Sequence, residues 1–110
     1  AGALAEALAQ RLRLPCVLAG YSRLVVDCNR DPASAASMLP LSDGDRIPGN
    51  EAISAADRAA RIAEIFEPYH AAVAATLAAT DHAWPALVAV HSFTPVMQGR
   101  ARPWHCGVLW

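Results

Sequence analysis

Two apolar runs set the frame for this chain. Leu24-Val25-Val26 stops on Asp27 and Leu87-Val88-Ala89-Val90 stops on His91, with no polar alternation inside either run. β-Branched residues without alternation suit strands covered on both faces, as in parallel sheets. Helical patterns lie around them. Leu4, Leu8 and Leu12 recur at i, i+4 and i+8 over residues 3–13, which predicts an amphipathic helix ended by Pro15. Ser54 opens a longer helix, with Asp57 as an approximate capping box. Ile62, Ile65, Phe66, Tyr69, Val73 and Leu77 form its apolar stripe, and Pro68 is expected to bend it by removing a backbone donor. Residues 16–19 and 107–110 are two further strand candidates.

Strands alternating with helices imply an α/β fold with a mainly parallel central sheet flanked by helices. In such sheets functional groups collect beyond the carboxyl ends of the strands. That expectation brings residues 27–30 and 91–94 to one sheet edge. Between Cys28 and Ala52 the periodicity vanishes, and Pro32, Pro40, Gly44, Pro48 and Gly49 mark turns. A loop of that length inside a domain is usually functional or disordered.

The length, 110 residues, is material for one domain. All nine basic residues are arginine, the net charge is −1, and no basic cluster occurs. Nucleic acid and anionic lipid therefore have no electrostatic footprint to follow. No apolar run approaches the roughly 20 residues that span a bilayer. Cys16, Cys28 and Cys106 are odd in number and unpaired by spacing, which fits a reduced, cytoplasmic setting rather than a disulfide scaffold. Ala1 already lies in a helical pattern and Trp110 closes an apolar run. The chain is accordingly read as the central part, residues 1–110, of a single domain truncated at both ends.

Four residues are the leading site candidates. His91, at a strand end before Ser92, Thr94 and Pro95, reads as a metal ligand or general base, or as a histidine bonded to backbone. Arg30 offers a planar donor fork for a carboxylate, or a structural pair with Asp27 or Asp31. Asn29 can orient the same ligand through its amide. Arg23 reads as a second anion-binding group or as a surface charge. Asn50 reads as a turn residue, and His70 and His82 as ordinary packed or solvated side chains. His105 and Cys106 lack the paired spacing of a zinc finger.

Several stretches together resemble the N-formylglutamate amidohydrolase family. They are Tyr21-Ser-Arg-Leu-Val-Val-Asp-Cys-Asn-Arg30, Ile47-Pro-Gly-Asn50, Pro68-Tyr-His-Ala71, Val90-His-Ser-Phe-Thr-Pro95 and Arg102-Pro-Trp-His-Cys-Gly-Val-Leu-Trp110. They run along nearly the whole chain in family order. More distantly, D-x-N-R and H-S-F resemble segments of the zinc carboxypeptidases, and a phosphorylase/hydrolase-like fold is what that similarity implies.

The resemblance assigns roles. Asn29 and Arg30, with Arg23, would bind a carboxylate of an acyl amino acid, and His91 would be one zinc ligand. The implied reaction is hydrolysis of N-formyl-L-glutamate to formate and glutamate, a late step of histidine degradation. Zinc would activate a water molecule and polarise the formyl oxygen. The remaining ligands, in an H-x-x-E-type segment, would precede Ala1, and the general-base glutamate would follow Trp110. Glu51, Glu64 and Glu67 are poor substitutes, being placed on a loop and a helix with no link to His91. The competing expectation is a non-catalytic carboxylate-binding module without the metal site. Oligomeric state is left open by the sequence.

Overall fold

A computed structural model describes residues 1–81 and 83–109. The first helix, α1 (Gly2–Leu12), ends at Arg13, whose φ of 56° and ψ of 44° place it in the left-handed region. The Leu14 amide donates back to Ala9 O at 2.9 Å, so the chain turns off the helix before Pro15. Leu4, Leu8 and Leu12 all remain exposed.

The long helix is the structural spine. Its first part, α3 (Ala55–Arg61), begins at Ser54, whose Oγ accepts from the Asp57 amide at 3.0 Å and donates to Asp57 Oδ2 at 2.7 Å. The expected cap therefore forms. A π-helical turn (Ile62–Phe66) follows, and the rod continues as α4 (Glu67–Ala78). The Glu67 amide donates to Ile62 O, one residue further back than an α-helix requires. The wider turn lies immediately ahead of Pro68, where an α ladder would lack a donor and meet the proline ring. Ile62, Ile65, Phe66, Tyr69, Val73 and Leu77 are all half-buried, as the stripe predicts.

The strands lie elsewhere than expected. Leu41–Ser42 (β1) pairs antiparallel with Asp45–Arg46 (β2), and Val96–Met97 (β3) with Arg100–Ala101 (β4). Both hairpins turn through two residues of positive φ, Asp43 (52°) with Gly44 (90°) and Gln98 (51°) with Gly99 (71°). Such turns match the right-handed twist of a strand pair. Asp43 Oδ1 accepts from the Gln98 amide at 2.6 Å, joining one hairpin to the other. A short helix, α2 (Pro48–Glu51), follows β2, and the Arg46 Nε and Nη2 groups donate to the two Glu51 carboxylate oxygens.

The mixture of helices and strands is thus present, but the described residues form no parallel sheet. Residues 16–19, 24–26, 87–90 and 107–109 carry no strand. Trp110, the end of the last candidate strand, and His82 lie outside the described residues. The physical reason is a missing neighbour: a strand exists only as part of a ladder. Around residues 24–27 side chains take over that task. Leu24 O and Val25 O accept from Asn50 and Arg61, and the Asp27 amide donates to Ser37 O at 2.8 Å. Ser37 belongs to a 3-10 turn (Ala35–Ser37) capped by Ser34. The buried residues, among those described, are Val26 and Met38 with the polar Asp27, Ser37 and Asn50. The core of this chain is the loop of residues 24–39 set against the N-terminal half of the rod.

Candidate functional site

Asp27 organises the site. It is 6% exposed, and its Oδ1 accepts the Asn29 amide at 3.0 Å while its carbonyl accepts the Arg30 amide at 3.1 Å. A carboxylate bonded to the amide two residues on, with a carbonyl bonded three on, folds the chain into a tight turn. Only the Asp side chain is needed for such a turn, since both donors are backbone amides. Its Oδ2 pairs with Arg23 Nη2 at 2.6 Å and lies 3.9 Å from Arg30 Nε. Pairing of this kind offsets the cost of burying the charge.

The turn presents its two following polar side chains to solvent. Asn29 is exposed, and the Arg30 side chain is 58% exposed. Among the described residues, no hydrogen bond uses the Asn29 amide group or the Arg30 guanidinium. Asp31 is occupied locally, its Oδ1 accepting the Ala33 amide at 2.8 Å. Arg23 is the closely held structural partner of Asp27, whereas Arg30 makes a looser ion pair with the same carboxylate, the structural pairing that the sequence offered as its alternative. Cys28, between them, is half-buried; burial first, and the Asp27 charge second, push its thiol pKa up. It is a protonated packing group, not an activated nucleophile.

His91 is placed apart in character. It lies exposed in a segment without regular secondary structure, and no hydrogen bond or ion pair engages it among the described residues. Phe93 meets Trp104 edge-on at 6.5 Å between centroids, and the Arg102 guanidinium stands 5.5 Å from the Phe93 ring centre. These contacts join the H-S-F-T-P and R-P-W-H-C segments to each other. The structure thus brings Arg23, Asn29 and Arg30 together around Asp27, and among the described residues no hydrogen bond or ion pair ties His91 to that cluster. No group of three or more His, Cys, Asp or Glu side chains among the described residues is arranged to hold a metal ion. These residues therefore do not by themselves fit a zinc site.

The sequence model of the N-formylglutamate amidohydrolase family matches residues 2–110. The chain belongs to that family. Among solved structures, it is similar to the crystal structure of gene product Atu2144 from Agrobacterium tumefaciens, with 42% identity and a TM-score of 0.66. The match covers 74% of this chain and 33% of that one, so the chain spans about a third of its neighbour's length. No curated protein matches it. No helix of the described residues is long and apolar enough to cross a membrane.

In this N-formylglutamate amidohydrolase family member the groups that hold the turn in place escaped sequence reasoning. Arg58 Nη2 donates to Pro32 O at 2.8 Å, Ser34 O at 2.5 Å and Ser37 Oγ at 2.7 Å. Arg61 and Asn50 bind the other arm of the loop, and His70 Nε2 bonds Cys28 O at 3.0 Å. A signal for the arginines was present. Arg58 and Arg61 stand four residues ahead of Ile62 and Ile65, so they continue the inward-facing stripe. A charged residue in that register needs buried acceptors. Asn50, read as a turn residue, is 4% exposed and fully bonded.

Proposed function

We propose that this chain supplies the carboxylate-binding part of an amide hydrolase that converts N-formyl-L-glutamate, or a related N-acyl amino acid, with water into the free amino acid and the acid of the acyl group. For the formyl substrate the products are glutamate and formate. Family membership supports hydrolase chemistry. One observation carries the site assignment: the buried Asp27 builds a turn that carries Asn29 and Arg30 in succession, both exposed, with Arg30 held only by a 3.9 Å ion pair to Asp27.

In this reading Arg30 receives a substrate carboxylate in its donor fork and Asn29 adds an amide contact. Arg23 holds Asp27 and contributes positive charge beside the turn. Fixing the carboxylate orients the amide bond and lowers the entropic part of the barrier. His91 enters as one zinc ligand on the strength of its motif alone, and a catalytic zinc takes three protein ligands and an open position.

The test is hydrolysis of N-formyl-L-glutamate, followed as formate release, by the intact protein that carries this sequence, with and without added zinc. Arg30→Ala is expected to raise KM about 10- to 100-fold, the loss of one charge-assisted paired contact. Absence of formate release by the wild-type protein would sink the proposal. So would an Arg30→Ala variant with unchanged KM.

A further inference from the structure

The Ile47-Pro-Gly-Asn50 motif has no part in the proposed carboxylate grip, yet its last residue is among the most buried polar groups of the described residues. Asn50 Nδ2 donates to Leu24 O and Leu39 O, each at 2.8 Å, and its Oδ1 accepts from Arg61 Nη1 at 2.6 Å. Both amide hydrogens and the amide oxygen are therefore used. Arg61 Nη1 also donates to Val25 O at 2.9 Å, and Arg61 Nη2 to Gly49 O at 2.8 Å. The pair thus grips two consecutive carbonyls, Leu24 O and Val25 O. Those carbonyls lead directly into Val26 and Asp27.

We propose that Asn50 and Arg61 act as one positioning unit for the carboxylate-binding turn, setting the path of the backbone that carries Asp27. The inference rests on the reading of Arg30 as the carboxylate fork. Val25 O and Leu24 O set the direction of the peptide leading to Asp27, and Asp27 in turn holds the amides of Asn29 and Arg30. Arg58 anchors the opposite arm through Pro32, Ser34 and Ser37. Losing the Asn50–Arg61 grip therefore leaves the loop attached at one side while its leading side slackens. Neither residue touches substrate in this scheme; both act through Asp27.

The geometry also predicts which replacements fail. Asn50→Asp places a carboxylate oxygen against two carbonyls where an amide donated. Arg61→Gln removes the span that joins Val25 O, Asn50 and Gly49 O. Arg61→Lys keeps the charge but presents a single ammonium in place of a planar fork.

The full chain is to be compared as wild type, Arg61→Gln, Arg61→Lys, Asn50→Asp and Ser54→Ala. The last weakens the helix cap without touching the loop carbonyls, and so reports ordinary destabilisation. Amide exchange at Asn29 and Arg30, read residue by residue, is expected to speed up about tenfold or more in Arg61→Gln and Asn50→Asp. Arg61→Lys should fall between these and wild type, and Ser54→Ala should leave both amides unchanged. Calorimetric binding of L-glutamate should weaken about tenfold in the same two variants. Unchanged exchange at Asn29 and Arg30 in Arg61→Gln overturns the proposal. If Arg61→Gln does not fold, Arg61→Lys decides by the same amides. Wild-type chain that binds no glutamate counts against the carboxylate reading, while the exchange comparison still decides whether the pair positions the turn.

Discussion

Asp27 shows how one residue can be structural and yet define a site. Its carboxylate is buried, it accepts the Asn29 amide, and it is paired with Arg23. Two substitutions separate these tasks. Asp27→Asn keeps an oxygen for the Asn29 amide and loses the charge pairing. Asp27→Ala loses both and leaves the amide unpaired, so it should cost about 2 kcal/mol, with Asn the milder change. Because Arg23 is largely exposed, its pairing contributes little of that sum. Urea unfolding of the two variants checks the order. Cys28 supplies a second test. Its thiol pKa is raised by burial and by Asp27, whereas Cys16 and Cys106 are exposed. Alkylation by iodoacetamide at neutral pH should therefore reach Cys28 last, as mass spectrometry of the peptides would show. The raised pKa also has a sign in stability. The folded state holds the proton more tightly, so this contribution is intact below pH 9.0, the ordinary thiol value, and is lost as pH rises through the folded value.

Among the elements, the rod from Ala55 to Ala78 decides where the site can form. Arg58, Arg61 and His70 all contact the loop of residues 24–39. In an unbroken α-helix, at about 100° per residue, His70 would stand about 120° round the axis from Arg58. The π turn inserts one residue and takes back about 100°, which leaves His70 about 20° from Arg58. Pro68 and the π turn thus bring a third polar side chain to the loop. Deleting Ala63, an exposed residue of that turn, would leave Arg58 and His70 eleven residues apart in a continuous α-helix, still about 20° round the axis, so His70 should keep its bond to Cys28 O. The check is the His70 Nε2 resonance, expected to stay at its wild-type value, whereas a move to the value of a solvent-exposed imidazole would count against this phase relation. The cap at Ser54 and the stripe were readable from local sequence because their partners lie within four residues. The widened turn was not: Pro68 announces a disturbance, and whether the helix kinks or widens depends on which phase its side chains need.

Across the whole molecule, the radius of gyration is 16.1 Å, against about 13 Å for a compact domain of roughly this size. The excess comes with a small apolar core, Val26 and Met38, and with exposed Leu87, Val88, Val108 and Leu109. Local stability should follow that distribution. Native-state hydrogen exchange is expected to show slow amides along residues 58–78 and at Asp27, and fast amides throughout residues 85–94. Apolar segments left exposed to this extent mark surfaces suited to burial against something else.

The two runs that frame the sequence, ending at Asp27 and His91, show where local information stops. By itself the sequence determined the capped rod with its stripe and the family to which the chain belongs. Each of these depends on neighbours a few residues apart or on motifs written in order. The same sequence implied a parallel sheet, because an apolar β-branched run looks alike whether its hydrogen bonds go to a strand or to side chains. Only the tertiary structure decided that Leu24 O and Val25 O go to Asn50 and Arg61. Those bonds cross 26 and 36 residues of chain. A contact at that separation leaves no periodic trace, since its partner is chosen by how the rod and the loop meet in space.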